Sequence, residues 1–220
     1  MTVDNSTFTF IGDAALATGT GFNPDITPQG LVLKNNAIVY SPVPLAVTGD
    51  VRIDSTSTLN HSFGGSITGD VLNSGLIDWQ NPNQTLTITG NYTGVPQSKF
   101  SLETWLGGDT SATDKLYVTG NATGATTLTV RPTVGSPGAK TVNGIQVIQV
   151  DGFSPSSSFM LSAPVQAGAY QYILRQGGAV TGGQSWYLTS TYDCSLNNSC
   201  LSGSAPPPNL SPKCSELSFR

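Results

Sequence analysis

Apolar residues along this chain come in short runs that alternate with polar ones at a period of two. Val51-Arg52-Ile53, Leu86-Thr87-Ile88 and Leu116-Tyr117-Val118 each place two apolar side chains on one face and a polar or amphipathic one on the other. That period belongs to half-buried β-strands, and no stretch carries the 3.6-residue period of a helix. A tripeptide punctuates the runs: Thr48-Gly49-Asp50, Thr68-Gly69-Asp70, Thr89-Gly90-Asn91 and Thr119-Gly120-Asn121. Its glycines stand 20, 21 and 30 residues apart. A period near 20 is what one coil of a parallel β-helix needs, with strands joined by tight turns. Glycine is expected to supply positive φ at such turns, and Asp or Asn to tolerate the same region or bond the next backbone amide.

Residues 1–40 read as further coils, with strands at Phe8-Thr9-Phe10, Leu31-Val32-Leu33 and Ala37 to Tyr40. Residues 19–30, rich in Gly and Pro, read as a loop projecting from the solenoid. From Phe100 the strands lengthen and the period fades. Phe100, Leu102, Thr104 and Leu106 share a face; so do Tyr170, Tyr172 and Leu174, and so do Trp186 and Leu188. Gly-Gly and Pro-Gly turns between them suggest antiparallel hairpins stacked on the end of the helix. An open solenoid end exposes apolar core and unpaired strand edges, so an aromatic-rich cover has a physical purpose. The expected division is therefore coils over 1–99, helix end and hairpin cap over 100–190, and an extended linker over 191–220 that contains Pro206-Pro207-Pro208. The expected cap core is Trp105, Leu116, Val118, Tyr170, Tyr172 and Trp186.

Composition narrows the function classes. Charged residues make up 10% of the 220-residue chain, against about 25% in ordinary soluble domains. Gly, Ser, Thr and Asn take their place, which suits a long sheet surface solvated by hydroxyls and amides. The net charge is −4 and the nine Lys and Arg residues are scattered, so nucleic acid is not an expected partner. All three cysteines, Cys194, Cys200 and Cys214, fall near the C-terminus. A Cys194–Cys200 disulfide is sterically possible in an oxidising compartment, and Cys214 is then unpaired. Met1-Thr2-Val3-Asp4 lacks the basic start and apolar run of a signal peptide. The chain is expected to begin inside a repeat, with any export signal upstream.

Candidate chemistry is sparse, and no catalytic, cofactor or metal residue is assigned. The single histidine, His61, reads as a solvent-facing turn residue. No Gly-x-Ser-x-Gly elbow offers a nucleophile. Asp78 beside Trp79 and Glu103 near Trp105 could form an acid-and-aromatic sugar site, though packing tryptophans and solvated acids are the plainer reading. Asp50, Asp54 and Asp70 could bind calcium only if adjacent coils stack them. Asp109 and Asp114 fall in or near a turn and are expected to bond backbone amides.

Several motifs occur in a recognisable order over about residues 85–190. They are Leu106-Gly107-Gly108-Asp109, Thr113-Asp114-Lys115-Leu116, Val118-Thr119-Gly120, Val142-Asn143-Gly144-Ile145, Ala167-Gly168-Ala169-Tyr170 and Trp186-Tyr187-Leu188. Their order resembles the C-terminal passenger region, or autochaperone, of type V autotransporters of Gram-negative bacteria, with a pertactin-like β-helix. The resemblance implies an all-β fold, a right-handed parallel β-helix capped by antiparallel β-hairpins. It implies a non-enzymatic, cofactor-free segment that nucleates passenger folding and supports outer-membrane secretion of a surface adhesin or virulence factor. It also implies exposure at the cell surface or release. The implied partner is the protein's own outer-membrane β-barrel domain, which does not occur before Arg220; a host receptor or self-association could add to it. The alternative from another class is a polysaccharide-binding or polysaccharide-cleaving β-helix of the tailspike kind.

Overall fold

The computed structural model describes residues 1–9, 15–17 and 30–193, and all regular structure in them is β. The chain winds in coils. The first holds β1 (Thr2–Asp4), β2 (Thr7–Thr9) and β3 (Ala15–Ala17). The second holds β4 (Gly30–Lys34), β5 (Ile38–Ser41) and β6 (Leu45–Thr48). The third holds β7 (Asp50–Ile53), β8 (Thr58–His61) and β9 (Gly65–Thr68), and the fourth β10 (Val71–Asn73), β11 (Leu76–Trp79) and β12 (Thr85–Ile88). In the fifth, β13 (Tyr92–Thr104) runs across two faces before β14 (Lys115–Val118); in the sixth, β15 (Ala122–Pro132) does the same before β16 (Ile145–Val150).

Coil stacks on coil in parallel register. Leu31, Val51, Val71, Tyr92 and Ala122 form one inward column. Val39, Leu59, Ile77, Phe100, Leu128 and Leu161 form a second. Val47, Ile67, Ile88, Val118 and Val150 form a third. Nearly every member of these columns is buried, which is the packed consequence of the alternation in the sequence. The fold is thus a parallel β-helix.

Antiparallel pairing enters later than the sequence pattern suggests. β13, β15 and β17 (Phe159–Leu161) still pair in parallel, as do β14 and β16. Apart from an isolated Thr104–Thr113 bridge, the antiparallel strands among the described residues are β18 (Val165–Ala167), β19 (Tyr170–Gln176) and β20 (Trp186–Tyr192), with β20 also laid antiparallel along β16. The strands over Phe100–Leu106, Thr126–Val130 and Gly144–Val150 are therefore long coil strands, not hairpins. The Gly107-Gly108 turn does fold back locally, with an isolated antiparallel bridge between Thr104 and Thr113, whereas the Pro137-Gly138 turn sits in an inter-strand excursion with Gly138 at positive φ. Residues 19–29, the three cysteines and all but the first three residues of the expected 191–220 linker lie outside the described residues.

The repeated tripeptide is a stacked turn whose glycines are required by close approach. A Cβ on Gly90 would lie 2.4 Å from the Gly69 carbonyl oxygen, and one on Gly120 would lie 2.6 Å from that of Gly90. The residue after each glycine ties the stack together. Asp70 N–H donates to Asp50 Oδ1 at 2.9 Å, Asn91 N–H to Asp70 Oδ1 at 2.7 Å, and Asn121 N–H to Asn91 Oδ1 at 2.9 Å. A fifth member went unread because it is spelled Asp151-Gly152-Phe153. The Phe153 N–H donates to Asn121 Oδ1 at 2.8 Å, and a Cβ on Gly152 would lie 2.5 Å from the Gly120 oxygen. Phe153 offers no acceptor in turn, so the ladder stops at the coil that the cap covers. Gly120→Ala should lower stability by about 2 kcal/mol, whereas Gly108→Ala, with open space around its Cβ, should change it by less than about 0.5 kcal/mol. Urea titrations of the two variants read the difference.

Candidate functional site: the covered end of the helix

The last coil is closed by side chains that reach from one turn to the next. Asp109, on the excursion between β13 and β14, gathers three main-chain amides. Val142 N–H and Asn143 N–H donate to its two oxygens at 2.8 Å, and Gly144 N–H donates at 3.2 Å. Burial alone would raise the Asp109 carboxyl, but the three donors outweigh it and hold it below the ordinary carboxylate range. Tyr172 of β19 completes the junction. Its buried hydroxyl donates to the Gly107 carbonyl at 2.9 Å and accepts the Ala139 N–H at 2.9 Å. The turn at 106–109, the excursion at 137–144 and the hairpin are thus pinned at two points.

Aromatic contacts carry the same connection through the core. Trp79 meets Phe100 with ring centroids 5.7 Å apart, and Phe100 meets Phe159 at 6.3 Å. Tyr92 packs on both Phe100 and Phe159, and Phe159 meets Trp186 edge-on at 5.5 Å. The Trp186 indole N–H donates to Ser154 Oγ at 3.0 Å, so its one polar atom is satisfied. An unbroken aromatic row therefore links the fourth coil to β20. Phe100 and Phe159 were legible as strand residues, but their place in this row depends on register, which short strands leave open.

The expected cap residues divide. Leu116, Val118, Tyr172 and Trp186 are buried. Tyr170 is half-buried against the core and stands perpendicular to Tyr192 at 5.5 Å. Trp105 is 38% exposed and is not a core residue. The alternation that turns Leu102, Thr104 and Leu106 inward sends Trp105 outward. His61 is corrected in the opposite sense. It is fully buried, because Leu59-Asn60-His61 alternates in, out, in, and its ring lies 4.7 Å from that of Trp79. The strand pattern outranked the nearby Gly64-Gly65 as a signal. Neither imidazole nitrogen has a hydrogen-bond partner.

The acidic candidates are engaged in structure. Arg131 of β15 reaches back over Ser101 to Asp78 at 2.8 Å, bonds the Trp79 carbonyl, and lies 3.7 Å from Glu103. Asp78 and Glu103 thus share one guanidinium that clips three coils together. Trp79 is buried and presents no sugar platform. Asp50 and Asp70 belong to the turn ladder. Asp54 sits at another corner, where it accepts Asn35 N–H and Thr56 N–H. No metal-ligand cluster forms among the described residues. Asp114 is buried and accepts Gln84 N–H at 2.9 Å and Glu103 N–H at 2.7 Å, in keeping with its expected role.

Comparison with known proteins gives this closed end a family. The autochaperone domain type 1 family matches residues 66–174. The chain carries an autotransporter autochaperone region. Among its relatives, the autotransporter adhesin AIDA-I of Escherichia coli is 43% identical over 112 residues, covering 50% of this chain and 8% of the adhesin. The adhesin BmaC autotransporter of Brucella suis is 34% identical over 219 residues, covering 86% of this chain and 6% of the relative. The uncharacterised protein YuaQ of Escherichia coli is 43% identical over 169 residues, covering 76% of this chain and 12% of that protein. The chain thus spans a small part of each curated relative it matches. The autochaperone-bearing chain is an autotransporter passenger segment, at the cell surface or secreted.

Two buried groups set an acid response with opposite signs. Burial lowers His61 from 6.5 to about 4, so the folded state refuses a proton that the unfolded chain accepts, and stability falls as pH drops from 6.5 towards 4. Burial raises Asp114 from 3.8 to about 6, ahead of the amides that oppose it, so its contribution to stability grows as pH drops from 6 towards 3.8. His61→Leu should therefore gain on the parent protein by up to roughly 3 kcal/mol between neutral pH and pH near 4. Asp114→Asn should lose on it over the same interval. Urea midpoints measured at both pH values give the two signs.

Proposed function

We propose that the covered end is the folding nucleus of the passenger, and that its early closure supports secretion of a surface adhesin. The supporting observation is the continuity of the aromatic row from Trp186 through Phe159 and Phe100 to Trp79. It couples the one locally paired sheet region to coils that can pair only over long sequence distances. β19 and β20 are joined by residues 177–185, whereas the parallel pairs join residues 18 or more apart in sequence. Hairpin formation takes microseconds, and distant parallel pairing is slower because loop-closure entropy comes first. A preformed β20 edge then offers β16 a template, β16 offers one to β14, and the coils follow in turn.

Export across an outer membrane proceeds without ATP on the far side. A folded coil that cannot slide back biases the chain outward, and a segment that folds first supplies that bias. In this reading the barrel partner is the protein's own outer-membrane β-barrel domain, the segment itself is non-enzymatic, and the virulence role belongs to the complete adhesin. Receptor binding or self-association would fall to exposed loops and outer sheet faces. The boundaries that fit are coils up to about Leu161 and a cap over residues 162–193, a later division than the sequence pattern suggests.

Trp186→Ala should slow refolding by at least about tenfold and reduce display of the full-length passenger at the cell surface. Leu31→Ala, a comparable core deletion in the second coil, should mainly speed unfolding. Stopped-flow refolding after a urea jump separates the two. If Trp186→Ala refolds at the parent rate, or Leu31→Ala slows refolding as much, the nucleus is not at this end.

A further inference from the structure

Asn143-Gly144 is the one Asn-Gly pair in the chain, and the fold uses both halves of it. Asn143 Oδ1 accepts Val180 N–H at 2.9 Å and Thr181 N–H at 3.0 Å, and the Thr181 hydroxyl at 3.3 Å. The Gly178 backbone packs against the same carboxamide: a Cβ there would lie 2.4 Å from Oδ1. Gly144 has φ near +122°, and a Cβ on it would lie 2.8 Å from the Tyr187 Cβ and 2.9 Å from the Leu188 carbonyl oxygen. A side chain at 144 would push β20 off β16. The joint therefore holds the dipeptide that cyclises most readily, since glycine offers the least hindrance to attack by its own nitrogen.

We propose that Asn143-Gly144 is a deamidation site that cap closure shuts off, so that the chain is marked covalently by the time its cap spends open. In an open chain the deprotonated Gly144 amide nitrogen attacks Asn143 Cγ. The Cγ–N bond breaks and the side-chain nitrogen leaves as ammonia, its last proton drawn from water. One water then opens the succinimide at either carbonyl and leaves aspartate or isoaspartate. One water is consumed, one ammonia is released, and no oxidant or reductant enters.

Closure opposes each step. The Gly144 N–H is donated to the Asp109 carboxylate, so losing that proton would set two negative charges together. The three donors on Oδ1 would polarise Cγ, but they also fix the carboxamide, and the main chain at Gly144 is wedged against Tyr187 and Leu188. The consequence falls on the cap itself. Isoaspartate adds a methylene to the main chain between the Asn143 N–H and the Gly144 N–H, two of the three amides that Asp109 gathers. An aged chain would lose that register and could not seat residues 142–144 beneath the hairpin.

The test incubates the protein, folded and in urea, in warm neutral buffer, and follows the Asn143-Gly144 peptide by mass spectrometry with isoaspartate quantified. Asn73-Ser74 serves as an internal comparison. The urea sample should deamidate at Asn143 faster than at Asn73, and folding should slow the Asn143 reaction by more than about tenfold. Equal rates in the two states, or a faster rate when folded, overturn the proposal. The urea-aged chain is then returned to native buffer beside Asn143→Asp, which carries the charge without the added methylene. The aged chain should recover less native near-ultraviolet circular dichroism than Asn143→Asp; equal recovery overturns the consequence for the cap.

Discussion

Register between coils is the constraint from which the rest follows. A parallel β-helix has no side-to-side sheet partner outside itself; each coil is hydrogen-bonded only to the coil before and the coil after. Every inward column must therefore stay in step across the whole stack, because a slip of one residue would turn a core column out to solvent. The Asp50–Asp70–Asn91–Asn121 ladder fixes that step from outside the core. Each side-chain oxygen takes the amide of the next coil at a corner where strand pairing is interrupted, and the stacked glycines let the corners approach. The column tolerates turn spacings of both 20 and 30 residues, since the extra residues leave in excursions and return at the same corner.

The same constraint explains why the end of the helix looks unlike its body. A coil with no successor leaves one row of main-chain groups and the top of the aromatic row uncovered. β20 meets this by pairing antiparallel with β16, which reverses chain direction and lets β19 and β18 continue the same sheet past the last coil. An antiparallel strand cannot continue the turn ladder, and the ladder accordingly ends at Phe153. Asp109 and Asn143 replace it. They are again side-chain oxygens that collect main-chain amides, Asp109 binding one excursion to the next and Asn143 binding that excursion to the hairpin. The ordered motifs Leu106–Asp109 and Val142–Ile145 are thus the two sides of one joint, which accounts for their occurring together.

Much of this was legible in the sequence. The period-two runs gave the strands, the tripeptide spacing gave the coils, and the motif order gave the family. What failed did so for one physical reason: alternation says which residues share a face, but turn residues and aromatic content were allowed to overrule it. His61 was assigned outward because Gly64-Gly65 follows, although Leu59 and His61 share a strand face. Trp105 was assigned inward because it is aromatic, although it lies out of phase with Leu102 and Leu106. Where alternation was followed, as at Leu116, Val118 and Tyr172, burial agrees. The onset of antiparallel pairing was beyond this kind of reading, since a Gly-Gly turn looks the same in an excursion as in a hairpin. The partner strand decides, and that is a long-range fact.

The polar interior near the cap bears on how such a stack holds its coils together. Tyr92, at the start of the fifth coil, is fully buried, yet its hydroxyl meets Thr126 Oγ1 at 2.7 Å and accepts from Asn73 at 3.2 Å. Its partners belong to the coils on either side, so the group is satisfied only when all three are in place. A buried hydroxyl left without partners costs about 1–3 kcal/mol, so a fifth coil that formed alone would be penalised and is fully relieved only with both neighbours in place. His61, farther from the cap, bears that cost instead: neither of its buried ring nitrogens has a partner, and its ring packs on Trp79. Buried polar groups tie the earlier coils too: Ser57 Oγ accepts the Ala37 N–H at 3.1 Å, so side-chain hydrogen bonds as well as apolar columns join coil to coil along the stack.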